Sequence, residues 1–360
     1  RAADAVVVAE PEPAEYVRIC DVYGTGYFYI PGTETCLRVG GYVRLDVSGG
    51  EQGSFTGRNT EDRRTGDAQR SYGVQSRFAL RTWTGQETEL GTLKTFTETR
   101  INYTNGAGTA VDSHFMWIQL GGLRLGVDES AFDTFSGYAG NVINDTLVPY
   151  GGFGTNLISY TFDAGNGFSA LISLEQGNDG DTTWYVAPGD LTSTDLADSI
   201  DSYMPHVVGG LKYTAGWGSI SGVAAYNSNY EEWSGKVRLD VNATEQLTLW
   251  IMGGYGSDDN IGRNFYKPWG GNWAVWGGGT YKINEKTSLN AQVSYDEGKS
   301  LGVAANVSYD IVPGFNVTAE LDYVNQSVAN QVKYGSWTGL SRNGLQDDAL
   351  GGFVRFQRSF

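Results

Sequence analysis

The chain is short of the residues on which most site chemistry is built. Among 360 residues there are two cysteines, two histidines, three methionines and eight prolines. His114 and His206 stand about ninety positions apart without the spacing of a zinc ligand pair, so no metal site is expected. No GxSxG run accompanies them, which leaves a Ser-His hydrolase without its nucleophile turn and points away from an enzyme. Gly298-Lys299-Ser300 imitates the end of a phosphate-binding loop, but Val293 stands where the leading glycine belongs; no cofactor is expected. Positive charge is scarce as well. With 25 Lys plus Arg against 41 Asp plus Glu, the net charge is −16, the wrong sign for a nucleic-acid partner.

Long apolar runs are also missing. A membrane-spanning helix needs about 20 predominantly apolar residues. Stretches such as Tyr213 to Tyr230 are broken by Gly, Ser and Asn. The start, Arg1-Ala2-Ala3-Asp4 with Val6-Val7-Val8, is too short for a signal sequence, and the chain reads as already processed. Cys20 and Cys36, sixteen positions apart, suggest one local disulfide in an oxidising compartment; a cytosolic chain with two unpaired cysteines is the alternative.

What the chain has in abundance is glycine, 51 residues, and aromatic rings: 22 Tyr, 15 Phe and 10 Trp. A disordered chain would lack those rings. Yet the mean hydropathy is only −0.32, so the apolar surface must be confined to one side of each element. Alternation supplies that side. In Leu37 to Val47 the odd positions carry Leu37, Val39, Val43, Leu45 and Val47, and the even ones Arg38, Tyr42, Arg44 and Asp46. Leu301 to Ile311 repeats the pattern most cleanly, with Val303, Val307 and Tyr309 opposite Asn306, Ser308 and Asp310. Each strand has an oily and a wet face.

About sixteen such segments are legible, from 37–47, 71–83, 90–104, 113–121 and 122–128 through to 314–326 and 348–360. The even number suits a single-chain transmembrane barrel. Tight turns such as Gly121-Gly122, Gly216-Trp217 and Val312-Pro313 alternate with excursions such as Ser48 to Arg70, Glu129 to Phe153 and Gly177 to Met204. Short turns on one side and long loops on the other predict an antiparallel β-barrel, closed because an open sheet edge is not tolerated in hydrocarbon. Tyr103, Tyr160, Tyr213, Tyr226, Tyr255, Tyr281, Tyr295, Tyr309 and Tyr323 fall near strand ends, where amphipathic rings suit the headgroup level, although ordinary β-propensity accounts for part of this. The last strand ends on Phe356 and Phe360 on one face, which resembles the C-terminal assembly signal of outer-membrane barrels.

The stretch Leu123 to Gly152, closing on Pro149-Tyr150-Gly151-Gly152, resembles the constriction loop of general trimeric porins. Glu15-Tyr16-Val17-Arg18, Cys20, Gly26-Tyr27-Phe28-Tyr29-Ile30-Pro31-Gly32, Cys36-Leu37-Arg38-Val39 and Gly41-Tyr42-Val43-Arg44 are similar to the alphaproteobacterial general porin family, of the Brucella type. The resemblance covers essentially the whole chain. It implies a 16-stranded all-β barrel over 37–360 with a loop at about 129–153 folded inward. It also implies an outer-membrane location, a homotrimer with contacts from strands near both termini, and passive passage of small hydrophilic solutes and ions.

Alternation then sends Arg38, Arg44, Arg77, Arg81, Lys94, Arg100 and Arg124 into the lumen, all from the first five strands, as a basic wall. Glu129, Asp133 and Asp145 of the loop would face it, making a transverse field. The rival reading is that these arginines pair with lumen carboxylates such as Asp46 and Glu98. Acidic excess is assigned to the loops and to late lumen positions Asp240, Asp296, Asp310, Glu320 and Asp322. The pairs Glu231-Glu232, Asp258-Asp259 and Asp347-Asp348 read as solvated, with divalent-cation or lipopolysaccharide bridging as the lesser reading. Residues 1–36 are expected to form a periplasmic extension, flexible over Ala2 to Pro13 and compact around the disulfide, with a course inside the barrel as the alternative. No lumen-facing aromatic ladder of the kind that guides sugars is legible. An adhesin or receptor barrel with a narrow or plugged lumen is the competing function.

Overall fold

The computed structural model describes residues 18–50, 57–179, 185–186, 193–194, 198–335 and 346–360; the expected flexible tail lies outside them. Sixteen strands form the barrel. They are β1 (Cys36–Gly50), β2 (Gly73–Thr88), β3 (Gly91–Thr104), β4 (Thr109–Leu120), β5 (Leu123–Glu129), β6 (Gly154–Asp163), β7 (Phe168–Glu175) and β8 (His206–Ala215). The second half comprises β9 (Gly218–Asn227), β10 (Glu232–Asn242), β11 (Leu247–Gly256), β12 (Trp273–Lys282), β13 (Thr287–Asp296), β14 (Leu301–Val312), β15 (Phe315–Asn325) and β16 (Asp348–Ser359). Each pairs antiparallel with the next, and β16 returns to β1 with Asp46 opposite Arg355, so the sheet closes.

Three strands are longer than alternation suggests, β1 running on to Gly50 and β2 and β4 extending as well. β2 runs on to Thr88 because Thr84 to Thr88 pair in register with Thr95 to Gly91, which tightens the expected turn to Glu89 and Leu90. Threonine suits a strand whichever face it takes, so the polar run hides the period. β4 begins at Thr109 rather than 113, and a register shift beside Glu98 and Thr99 breaks its alternation. The loops are less evenly sorted than expected: at the long-loop end, residues 105–108, 228–231 and 297–300 make short connections. Residues before β1 do join the ladder briefly, since Phe28–Tyr29 pairs with Leu37 and Cys36.

The outer face is oily. Val39, Val43, Leu45, Ile158, Leu211, Val237, Ile251, Val293, Val307 and Leu321 are all exposed there, and by register the nine tyrosines named above share that face. From β7 round to β15, outward positions between the strand ends hold only Gly, Ala and apolar side chains. On β2 and β3 they differ. Thr82 bonds Thr97 at 2.6 Å and Thr84 lies opposite Thr95 on this outward face, with Ser76 and Thr99 nearby. Buried apolar clusters lie inside, between the inner wall of the later strands and loops folded against it.

Candidate functional site in the lumen

The segment after β5 turns into the barrel. Ser130 caps the short helix α1 (Ala131–Thr134), its Oγ accepting from Phe132 N–H. The same hydroxyl and the Ala131 N–H donate to the buried Glu175 carboxylate on β7, at 2.8 and 2.9 Å. Further along, Lys236 of β10 pairs with Asp133 and donates to Tyr150 O. Trp276 Nε1 of β12 donates to Val148 O, and Gln292 of β13 to Asp145 O. Glu320 of β15 accepts from the Ile143 and Asn144 N–H groups at 2.6 and 2.7 Å. Asp322 accepts from Asn144 Nδ2. The loop is therefore fastened to the β7 to β15 wall along its length.

Its glycine tail is a packing requirement. A Cβ at Gly151 would lie 2.0 Å from the Asp133 carboxylate, and one at Gly152 would lie 2.4 Å from the Phe265 ring. Phe265 and Tyr266 belong to the connection between β11 and β12, which also enters the lumen; both are buried. Tyr266 packs edge-on to Phe132 and donates to Glu175 at 3.0 Å.

Across the lumen, among the described residues, β16 and β1 to β5 contribute only Ala349, at the β16 rim, to the buried clusters. The register puts Arg38, Arg44, Arg77, Arg81, Lys94, Arg100 and Arg124 on the face opposite the lipid-exposed residues. They are not equivalent. Glu98 binds both Arg81, at 2.6 Å, and Arg100, and Arg124 pairs with Asp128. Arg44 and Arg77 instead donate to the neutral amides of Gln357 and Asn102, at 2.9 and 2.7 Å. Among the described residues, no ion pair engages Arg38, Arg44, Arg77 or Lys94. Asp46 pairs with Arg355 at 2.7 Å, a partner the sequence reading did not single out.

The three loop acids are not displayed on the open side. Glu129 is buried and accepts from Tyr138 OH at 2.6 Å; Asp133 is buried against Lys236. Asp145 is half-buried and accepts from Tyr150 OH, and burial pushes its carboxyl up to about 7. The loop's exposed residues, Thr134, Tyr138, Asn141, Thr146 and Phe153, are uncharged. Nor are the lumen cations confined to the first five strands. Lys236 and Arg238 on β10 bind the loop, Arg238 through Tyr138 O while also pairing with Asp240 on its own strand, and they share the inward parity of Asp240. That parity was the signal available in the sequence.

The same wall holds a row of rings. Trp83, Phe96, Phe115 and Trp117 share the inward face with Glu98 and Arg81. Phe96 lies 5.4 Å from Trp83, 5.5 Å from Trp117 and 6.4 Å from Phe115, and Phe115 lies 6.1 Å from Phe153 at the loop's exit. At the other end of β1, the Cys20–Cys36 disulfide forms, and Tyr23 OH reaches Glu87 near the short-turn end of β2.

A closed sixteen-stranded barrel with an apolar belt, a polar lumen and a loop folded in after the fifth strand defines a membrane channel of the outer-membrane type. The family model described as "Porin subfamily" matches residues 4–353, and the chain belongs to that family. It is 50% identical to Porin Omp2b of Brucella suis over 375 residues, covering 100% of this chain and 95% of that one. It is 51% identical to Porin Omp2b of Brucella canis over 371 residues, covering 100% and 94%. Among solved structures, a mutant of the Rh. blastica porin superposes with a TM-score of 0.57 at 15% identity, over 90% of this chain and 100% of that one. An anion-selective porin from Comamonas acidovorans gives 0.56 at 16%, over 91% and 100%. These two likenesses concern the fold. The chain is an outer-membrane porin, a diffusion channel.

Proposed function

We propose that this porin passes small hydrophilic solutes and ions, and that its narrowest point lies between the loop at 130–153 and the basic wall of β16 and β1 to β5. The observation that carries this reading is one-sided anchoring: the loop is bonded to β7, β10, β12, β13 and β15, which leaves the arginine face opposite it open to water. Arg44, Arg77 and Arg100, near mid-strand, form the centre of that wall. Arg38, Lys94 and Arg124 lie toward the short-turn end, and Glu98 offsets part of the charge of Arg81 and Arg100. Glu129, Asp133 and Asp145 act from beneath the loop rather than at its surface, so the field across the gap is carried mainly by the wall.

We further propose a homotrimer. Threonines on the outer face of β2 and β3 are costly against lipid and ordinary against another protein surface, and apolar Met116 and Ile118 on β4 adjoin them. The disulfide-closed segment would then cap the periplasmic mouth, and Phe356 and Phe360 would serve assembly. Reconstitution into planar bilayers tests the constriction: replacing Arg77 by Glu is expected to move the reversal potential toward cation selectivity, and an unchanged potential would remove Arg77 from the pore.

A further inference from the structure

The lumen wall does more than carry charge. Phe153, Phe115 and Phe96 step from the exit of the inward loop toward the periplasmic end of β3 at spacings of 6.1 and 6.4 Å. We propose that this row is a track for organic carboxylates bearing a flat apolar face, the simplest being aromatic carboxylates. The proposal rests on the porin reading and names a solute class for it.

Three observations support it. First, the rings are not core. None belongs to the three buried clusters, which sit under loops on the far wall but for Ala349 of β16, and each of these rings keeps part of its surface open to the lumen. In a polar channel, unclosed apolar rings in a continuous row cost solvation unless something flat displaces the water over them. Second, cations flank the row. Arg38 lies over Trp83 at 4.6 Å and Arg124 over Trp117 at 4.1 Å, the two indoles on either side of Phe96. Lys94, two residues from Phe96 on the same face, is exposed and has no ion pair among the described residues. Third, nearby negative charge is engaged: Glu98 holds Arg81 and Arg100, Asp128 holds Arg124, and Asp112 binds His114 Nδ1 at 2.9 Å.

The chemistry selects the solute. Phenyl rings reward any flat apolar face, and cations at the row's edges reward an anion over a neutral sugar of the same shape. A solute with both features can leave one rung for the next without losing stacking all at once. An acetate ion has the charge and no face.

The test is a bi-ionic reversal potential in planar bilayers, sodium benzoate against sodium acetate, at a pH where both are ionised. A water-filled pore with no track favours acetate, the smaller and faster ion. The track predicts the opposite order, benzoate over acetate by about threefold, the effect of one modest aromatic contact. Phe96→Leu and, separately, Phe115→Leu keep apolar volume and should return the ratio to one or below. Acetate equal to or ahead of benzoate in the unaltered protein, or a benzoate preference that survives both substitutions, would overturn the track. Absence of any sodium chloride conductance would instead count against the porin reading itself, so the two failures are distinguishable.

Discussion

At the residue scale, the chain uses charged groups in two ways. Lys236 is buried and bonded to Asp133 and Tyr150 O, so it acts as a peg for the loop. Replacing it by Met leaves Asp133 buried without its partner, a change worth about 3–5 kcal/mol in comparable settings. The expected outcome is a lower melting temperature and a wider, noisier single-channel conductance; a conductance identical to the parent's would show that the peg does not hold the loop. Arg44 and Arg77 donate to amides rather than to carboxylates, Arg44 also lying over the Tyr42 ring, so neither charge is offset by a direct ion pair among the described residues. Reversing either is therefore expected to alter ion selectivity more than reversing Arg81, whose charge Glu98 already offsets; equal shifts at all three would contradict this ranking. Much of this was legible. Parity alone put Arg77, Arg81 and Glu98 inside. The same parity placed Trp83 and Phe96 inside too, but rings on a wet face look like noise until their spacing is known, so the ladder was missed.

At the element scale, the inward loop is the one segment whose course alternation does not encode. Its glycines are explained by Asp133 and Phe265, partners distant in sequence, and its acids are turned inward by Lys236, Tyr138 and Tyr150, whose pairing with them no linear pattern identifies. The loop also carries a pH dependence. Desolvation in the docked loop, with the nearby Glu320 and Asp133 carboxylates, pushes the Asp145 carboxyl from its ordinary 3.8 up to about 7. A docked loop thus holds a proton that a released one gives up between about pH 4 and 7, so docking is strongest below that window and weakens as pH rises through it. Conductance noise is expected to grow over that range, and Asp145→Asn to flatten the rise. An unchanged slope in that variant would assign the effect elsewhere.

At the scale of the whole molecule, the sixteen strands were readable because the period of two survives almost everywhere; it failed at Thr84 to Thr88, where both faces are polar, and at the β4 register shift. The threonine face on β2 and β3 makes a further prediction. Thr97→Glu, placed where the proposed trimer closes, should leave the barrel folded yet yield monomers on detergent extraction and cross-linking. Trimers persisting in that variant would move the interface elsewhere. The apparent conflict between a polar composition and abundant rings is resolved by topology: apolar side chains face lipid, polar ones face water, and among the described residues the compact cores lie under the inward loops.

The central claim is a water-filled passage whose width the inward loop sets. Swelling of proteoliposomes in a series of uncharged sugars of increasing mass measures it directly. The account predicts swelling rates that fall steeply with solute size. No swelling with any sugar, or rates independent of size, would contradict it.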